Sequence, residues 1–326
     1  MKKSIIITGS SGFIGTNLFY NYIGQNYKIV LSDRRENIHG ESNLIFFDPE
    51  QLVNYIKNNV FTEGSVLFHQ GACSNTMESD KNYIMNENFN YSKQLLEVCL
   101  EKRIKFIYAS SASVYGDSKF CIEDSKYENP LNLYAESKLL FDEYVRVNLK
   151  NFNSNVVGLR YFNVYGPYEY HKGIMASQIF NQFLNIEKYG YIEIFGGYLE
   201  VNDGEQKRDF IYVKDIVLLN NFFKKNNISG VFNAGSGYCE TFNSLAVYLL
   251  NSKNKSNNDL DFYLRTNCIK YKKFPENLIG KYQNNTWADL TNLNKCGYFE
   301  KMNNLKEGIS DYYNSHLVKI NVSKYI

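Results

Sequence analysis

Tyr134 and Lys138 stand four residues apart in the run Tyr134-Ala135-Glu136-Ser137-Lys138. On a helix that spacing puts both side chains on one face. A lysine ammonium beside a phenol stabilises the phenolate and lowers its pKa toward neutrality, which makes a usable general base. Alone the pattern is weak, because a chain with 28 tyrosines matches it by chance. Upstream, Ala109-Ser110-Ser111-Ala112-Ser113-Val114-Tyr115-Gly116 closes an apolar strand. Ser111 would set a hydroxyl beside a reacting oxygen, where it can bond developing charge. Lys172 lies in the run His171-Lys172-Gly173 after a further strand. Partial desolvation there would move a lysine toward neutrality, although a solvated loop lysine is the plainer alternative.

A second group of residues reads as a cradle for a dinucleotide. Thr8-Gly9-Ser10-Ser11-Gly12-Phe13-Ile14-Gly15 directly follows the first strand and opens a helix. Three glycines at this spacing permit a tight turn, close approach of a pyrophosphate and close helix–strand packing. The helix N-terminus offers N–H groups to the phosphates. The second strand ends Leu31-Ser32-Asp33-Arg34-Arg35. An acid here bonds ribose hydroxyls and favours NAD, whereas an arginine after it can pair a 2′-phosphate and favours NADP. With both present, the reading leans to NADP and leaves NAD open. Gln70-Gly71-Ala72-Cys73-Ser74 follows a later strand, and small residues there let the nicotinamide half lie across the sheet edge. Cys73 reads as a lining residue rather than a nucleophile, since no His or redox partner adjoins it.

These residues need a scaffold of alternating elements. Ser4–Thr8, Tyr27–Asp33, Ser65–His69 and Lys105–Ser111 read as buried strands. Gly15–Ile23, Asn82–Lys102 and Asn132–Asn148 read as helices, followed by one strand over Asn155–Tyr165. Such alternation implies an α/β fold, a Rossmann-type doubly wound parallel sheet, here with a smaller mixed α/β substrate-binding lobe. The expected division is 1–166 for dinucleotide binding, 167–316 mainly for substrate with segments returning to the first domain, and a tail over 317–326. The second half is less regular. Met175–Lys188, Phe242–Asn251 and Asn303–Tyr313 suggest helices, Arg208–Val213 and Val231–Ala234 strands, 200–207 a loop, and Ser252–Asp259 a surface excursion.

Bulk properties exclude several classes. A net charge of +2 gives no electrostatic footprint for nucleic acid or an anionic membrane. Six cysteines without a CxxC pair suggest neither a zinc site nor a disulfide framework, so no metal is expected and the thiols fit a cytoplasmic enzyme. The apolar run after Met1 is too short for a signal peptide, and no stretch is long enough to span a bilayer.

In combination these motifs make the chain similar to the extended short-chain dehydrogenase/reductase superfamily, in its nucleotide-sugar-modifying branch. More narrowly it resembles the enzymes that epimerise ADP-activated heptoses. The narrower resemblance rests on His69 to Ser74, Pro130-Leu131-Asn132, Leu140 to Arg146, Arg160 to Pro167, His171-Lys172-Gly173, Met175-Ala176-Ser177, Lys207 to Val213, Gly280-Lys281-Tyr282-Gln283 and Ala288 to Leu293. It covers the chain to about residue 316. It implies epimerisation at C6, D-glycero to L-glycero, by transient oxidation and re-reduction with bound NADP. Two faces of the ketone call for two acid–base groups, which the resemblance gives as Tyr134 and Lys172. It also implies that Lys138 holds the nicotinamide ribose and tunes Tyr134, and that Ser111 orients the substrate hydroxyl. Val164 and Lys172 would touch the cofactor. Asn163, Ile174, Asn181, Phe195, Arg208 and Tyr282 would face the sugar nucleotide. A homo-oligomer, pentameric in this branch, and a role in supplying a lipopolysaccharide core precursor follow by the same transfer.

There are departures. Ile174 replaces a serine, Asn181 a histidine and Glu87 a cofactor-contacting asparagine, while 196–206 is longer than in the branch. They keep open another nucleotide-sugar epimerase or a keto-sugar reductase. A 4,6-dehydratase is disfavoured, because Ala112 and Ser113 stand where such enzymes carry an Asp-Glu pair. An inactive cofactor-sensing protein is disfavoured by the retention of Ser111, Tyr134, Lys138 and Lys172 together.

Overall fold

A computed structural model of the chain describes residues 2–35, 44–276 and 285–325. Strands are β1 (Ser4–Thr8), β2 (Lys28–Ser32), β3 (Ile45–Phe47), β4 (Val66–His69), β5 (Lys105–Ser111), β6 (Val156–Tyr161), β7 (Asn163–Tyr165), β8 (Ile192–Phe195), β9 (Lys207–Arg208), β10 (Phe210–Tyr212) and β11 (Gly230–Ala234). Seven of them form one parallel sheet in the order β11-β6-β5-β4-β1-β2-β3. The apolar runs that announce the first strands are buried on both faces, with Ile5, Ile6 and Ile7 each 0% exposed. That is the pattern a covered parallel sheet requires.

Helices α1 (Phe13–Tyr22), α2 (Pro49–Asn58), α3 (Lys81–Met85), α4 (Tyr91–Glu101), α5 (Leu133–Asn148), α6 (Gln178–Tyr189), α7 (Val213–Lys225) and α8 (Phe242–Asn254) follow in order. Leu18 and Phe19 of α1 and Leu219 and Phe223 of α7 share one apolar cluster with the sheet. Leu52 of α2, Leu95 of α4 and Phe141 of α5 share another with it. A third cluster unites α6, β8, α8 and the helix Leu305–Ser315 through Ile179, Ile194, Leu249 and Ile309. The tail reaches back to this cluster. Leu317 is buried, and the Tyr325 ring lies 6.0 Å from Tyr170 and 5.8 Å from Phe180.

Three elements differ from the expectation. The strand expected over Asn155–Tyr165 breaks at Phe162, whose N–H donates to Ala234 O at 3.1 Å. β6 stays in the large sheet and β7 pairs with β10 instead. Apolar patterning is blind to a chain that changes sheets. The helix expected over Asn82–Lys102 contains a five-residue π-helical segment, Asn86–Asn90. The strand expected over Arg208–Val213 breaks at Asp209, and α7 starts at Val213. Asp209 is fully buried and accepts from the backbone N–H groups of Ser236, Gly237 and Ala288 at 2.7, 2.9 and 3.0 Å, which holds the chain at the break.

One buried ion network locks the centre of the sheet to α5. Asp142 accepts from Tyr108 Oη (2.8 Å), Ser110 Oγ (2.8 Å) and Arg160 Nε (2.9 Å), and Arg160 also pairs with Glu128 at 2.6 Å. Arg160 and Asp142 side chains are both 0% exposed. Removing the Asp142 carboxylate takes one of the two countercharges from Arg160 and leaves Tyr108 Oη, Ser110 Oγ and Arg160 Nε without their acceptor in a dry interior, so Asp142→Ala should cost about 3–5 kcal/mol. Urea unfolding measures this, and a loss under about 1 kcal/mol would contradict it.

Candidate functional site

The cleft opens where the strand order reverses, between β1 and β4, with a volume of about 810 Å³. Open parallel sheets bind ligands at this switch point. The loops that follow the two strands touch there. A Cβ on Gly9, whose φ is +61°, would come within 2.6 Å of Gly71 N, and one on Gly15 within 2.1 Å of Gly9 O. Neither backbone can yield, so the glycines are required by close packing as well as by ligand approach. Gly12 caps α1 without a side-chain hydrogen bond, which leaves the helix N-terminus open toward the cleft.

Asp33 directly follows β2 and accepts from Ser11 N–H (3.0 Å) and Arg35 N–H (3.2 Å). Gln70 accepts from Tyr161 Oη at 3.1 Å, and its buried amide nitrogen has no protein partner among the described residues. The glycine cradle, the open helix N-terminus and this orphaned donor suit a dinucleotide. Gly9, Gly12, Phe13, Ile14, Gly15, Asp33, Arg34, Gln70, Gly71, Ala72, Cys73, Ser74, Lys138, Val164 and Lys172, each expected at the cofactor, all line the cleft.

Asn132 starts α5 by accepting from Ala135 N–H at 2.9 Å, which presents Tyr134 in the first turn. Tyr134, Ser111 and Asn163 line the same cleft. Burial raises the Tyr134 pKa, and a hydrogen bond with Ser111 opposes it. The expected depression by Lys138 is therefore not found: the Lys138 ammonium is turned to Ala109 O at 2.9 Å and lies 5.9 Å from the Tyr134 ring centre. Burial pushes Lys138 itself down to about 8, against the attraction of Asp142. Ser111 accepts from Ser113 N–H (3.2 Å) and Ser113 Oγ (2.9 Å), which fixes its rotamer. Lys172 sits 5.7 Å from the Phe13 ring centre, and burial lowers its pKa, with Glu169 opposing.

Two positioning residues escaped the sequence reading. Asn88, in the π-helical segment, accepts from Cys73 N–H (2.8 Å) and donates to Cys73 O (3.0 Å) and Ser137 Oγ (2.9 Å). Ser137 in turn donates to Tyr134 O at 2.7 Å, so one buried amide ties the β4 loop to α5. Glu169, fully buried, accepts from Gly166 N–H (3.1 Å) and Ser177 Oγ (2.9 Å) and so closes the turn that carries Lys172. Neither stands in a recognisable spacing.

Four expected substrate residues do not line the cleft. Ile174 is 92% exposed: Gly173, at φ +54°, reverses the chain and sends the next side chain to solvent. Its replacement of serine therefore leaves the cleft wall unaltered. Asn181 donates to Ala176 O (3.0 Å) and braces that same turn. Phe195 packs against Phe274 with ring centres 5.5 Å apart. Arg208 is buried, donates to Lys207 O at 2.8 Å, and stands 6.0 Å from the ring of Phe242, which does line the cleft. Tyr282, with Gly280, Lys281 and Gln283, lies outside the described residues.

The profile of the NAD dependent epimerase/dehydratase family matches residues 5–235. The chain is 41% identical to the ADP-L-glycero-D-manno-heptose-6-epimerase of Pseudomonas aeruginosa, over 95% of this chain and 97% of that protein. The crystal structure of the Helicobacter pylori ADP-L-glycero-D-manno-heptose-6-epimerase superposes with a TM-score of 0.79 at 30% identity, covering 98% of this chain and 97% of that one. A UDP-N-acetylglucosamine 4-epimerase from Methanobrevibacter ruminantium superposes with a TM-score of 0.79 at 25% identity, covering 98% and 100%.

Holding Lys138 charged inside the protein has a stability cost whose sign follows from its pKa. Between pH 8 and 10.5 the folded chain holds fewer protons at this site than the unfolded chain does, so the site's contribution rises with pH through that window. Below pH 8 the penalty is constant, at about 3 kcal/mol. Lys138→Met should therefore be more stable than the parent at pH 7, with the gap closing as pH climbs from 8 to 10.5. A gap that does not change across that window, in chemical denaturation, would contradict the assignment.

Proposed function

We propose that this chain, which belongs to the NAD dependent epimerase/dehydratase family, interconverts ADP-D-glycero-D-manno-heptose and ADP-L-glycero-D-manno-heptose at C6. The observation that carries the reading is that one cleft holds both the glycine cradle and Ser111, Tyr134, Lys138 and Lys172. The 41% identity to the Pseudomonas aeruginosa heptose epimerase supports the choice of sugar.

Gly9, Gly12 and Gly15, the N-terminus of α1, Asp33, Gln70 and Lys138 would hold a nicotinamide dinucleotide. Arg34 and Arg35 support NADP as its phosphorylated form. When bound, that group supplies a hydride acceptor on one face of C6 and a hydride donor on the other. The chain's own residues move protons. An acid–base group must take the proton of the C6 hydroxyl as the carbonyl forms, and a group on the other face must return one. Tyr134 reaches the cleft from α5 and Lys172 from the turn after β7, which suits this division. Burial lowers the Lys172 pKa, which favours its neutral amine as a proton acceptor. Tyr134, raised by burial, is a neutral proton donor at pH 7, and the Ser111 hydroxyl stabilises its charge when it ionises. Lys138 supplies the positive charge behind both.

The division of labour expected from the sequence belongs to the same proposal: residues 1–166 present the dinucleotide, 167–316 mainly bind the sugar with segments returning to the first domain, and 317–326 form a tail. So does assembly as a homo-oligomer, which light scattering reads. No helix among the described residues is long and apolar enough to cross a membrane. In the cytoplasm, the proposed product would feed lipopolysaccharide core assembly.

Proton NMR of the purified chain with ADP-D-glycero-D-manno-heptose should show conversion to the L-glycero epimer. Tyr134→Phe and Lys172→Met should each slow it roughly 100- to 10,000-fold, since each removes one acid–base group. No interconversion by the unmodified chain with dinucleotide bound would overturn the proposal.

A further inference from the structure

Glu87 occupies a position at the cleft where it competes with the ligand for a cation. It lies in the π-helical segment Asn86–Asn90 and lines the cleft beside Arg34 and Asp33. Its carboxylate accepts from the Arg34 guanidinium in a direct ion pair. Arg34 is 60% exposed and Glu87 only 18%, so the arginine is drawn from solvent onto a carboxylate fixed in the wall. Arg34 follows Asp33 at the tip of β2, where the adenosine ribose of a dinucleotide is bound.

A guanidinium pairs a carboxylate and a phosphate with the same fork of N–H donors. The Glu87 carboxylate thus makes the contact that a ribose 2′-phosphate would otherwise make. A 2′-phosphate arriving here must displace Glu87 from Arg34, and it then stands close to two carboxylates, Asp33 and Glu87. A ribose that carries a 2′-hydroxyl needs no arginine and meets neither penalty. We infer that Glu87 is a specificity residue: it withholds Arg34 from a 2′-phosphate and lowers the affinity for NADP while leaving the affinity for NAD unchanged. This rests on the reading of the cleft as a nicotinamide dinucleotide site. It holds whichever cofactor the unmodified chain prefers, because it concerns the ratio of the two affinities.

The size of the effect is bounded by the exposure of Arg34. Releasing a surface ion pair and one nearby like charge is worth roughly three- to tenfold in a dissociation constant. The test is a fluorescence titration of NADPH and of NADH into the full-length chain freed of bound nucleotide. Glu87→Gln should tighten NADPH roughly three- to tenfold and leave NADH within about twofold. Arg34→Gln should weaken NADPH and spare NADH. In the Arg34→Gln background the gain from Glu87→Gln should shrink to the part that comes from relief of like-charge repulsion, because the remainder acts through Arg34.

Three results would overturn the inference: equal changes for NADPH and NADH, weaker NADPH binding by Glu87→Gln, or a gain undiminished by removal of Arg34. Binding of neither dinucleotide by the unmodified chain would be a different failure. It would overturn the reading of the cleft itself and this inference with it. The titration reads binding alone, so it stands apart from any loss of turnover.

Discussion

The carboxylate of Asp142 is shared by Tyr108, Ser110 and Arg160, and the rest of the site hangs on that sharing. Tyr108 and Ser110 belong to β5, which ends in Ser111, and Arg160 belongs to β6. Asp142 lies one turn beyond Lys138 and two beyond Tyr134 on α5. A single buried charge therefore sets the depth and the rotation of the helix against the strand that carries Ser111. Arg160 prevents Asp142 from being an uncompensated charge, and Glu128 completes the pairing of Arg160. Such a network is costly to assemble from water and costly to break by halves. Its contribution here is registry: three residues with chemistry reach one cleft from two elements.

A second constraint is steric. The loops after β1 and β4 approach so closely that Gly9 cannot carry a side chain without displacing the Gln70–Gly71 backbone, and the turn after β1 folds so tightly that Gly15 cannot carry one without displacing Gly9. That approach brings the Gln70–Ser74 loop beside the N-terminus of α1 at the switch point of the sheet. Asn88 then fastens Cys73 to Ser137, so this wall of the cleft and the helix bearing Tyr134 form one hydrogen-bonded unit. The π-helical segment that holds Asn88 also holds Glu87, which turns its carboxylate to Arg34. A local departure from α-helical geometry of this kind is frequent at functional sites.

Much of this was legible in the residues alone. β1 and β5 fall where their apolar runs end, because a strand covered on both faces has no ambiguity of facing. The glycine spacing and the pair Tyr134 and Lys138 identify their elements because each spacing has a geometric consequence. Where meaning depended on contacts between distant segments, the residues were silent. Glu169 and Asn88 act through backbone groups that no sequence pattern advertises. The break at Phe162 depends on Ala234, and the break at Asp209 on Ser236, Gly237 and Ala288. Ile174 misled for the same reason: its neighbour Gly173 turns it to solvent, a matter of one backbone angle. The sign for Tyr134 also differed, since burial outweighs a lysine that is engaged elsewhere.

Under the proposed reaction the C6 hydrogen is removed and returned as hydride within the cleft, and Tyr134 and Lys172 move only the hydroxyl proton. Running the epimerisation in deuterium oxide tests this directly, with proton and deuterium NMR reading C6 of the product. The account predicts that protium is fully retained at C6 after many turnovers. Deuterium appearing at C6 at the rate of epimerisation would mean that the carbon-bound hydrogen leaves as a proton, and would contradict it.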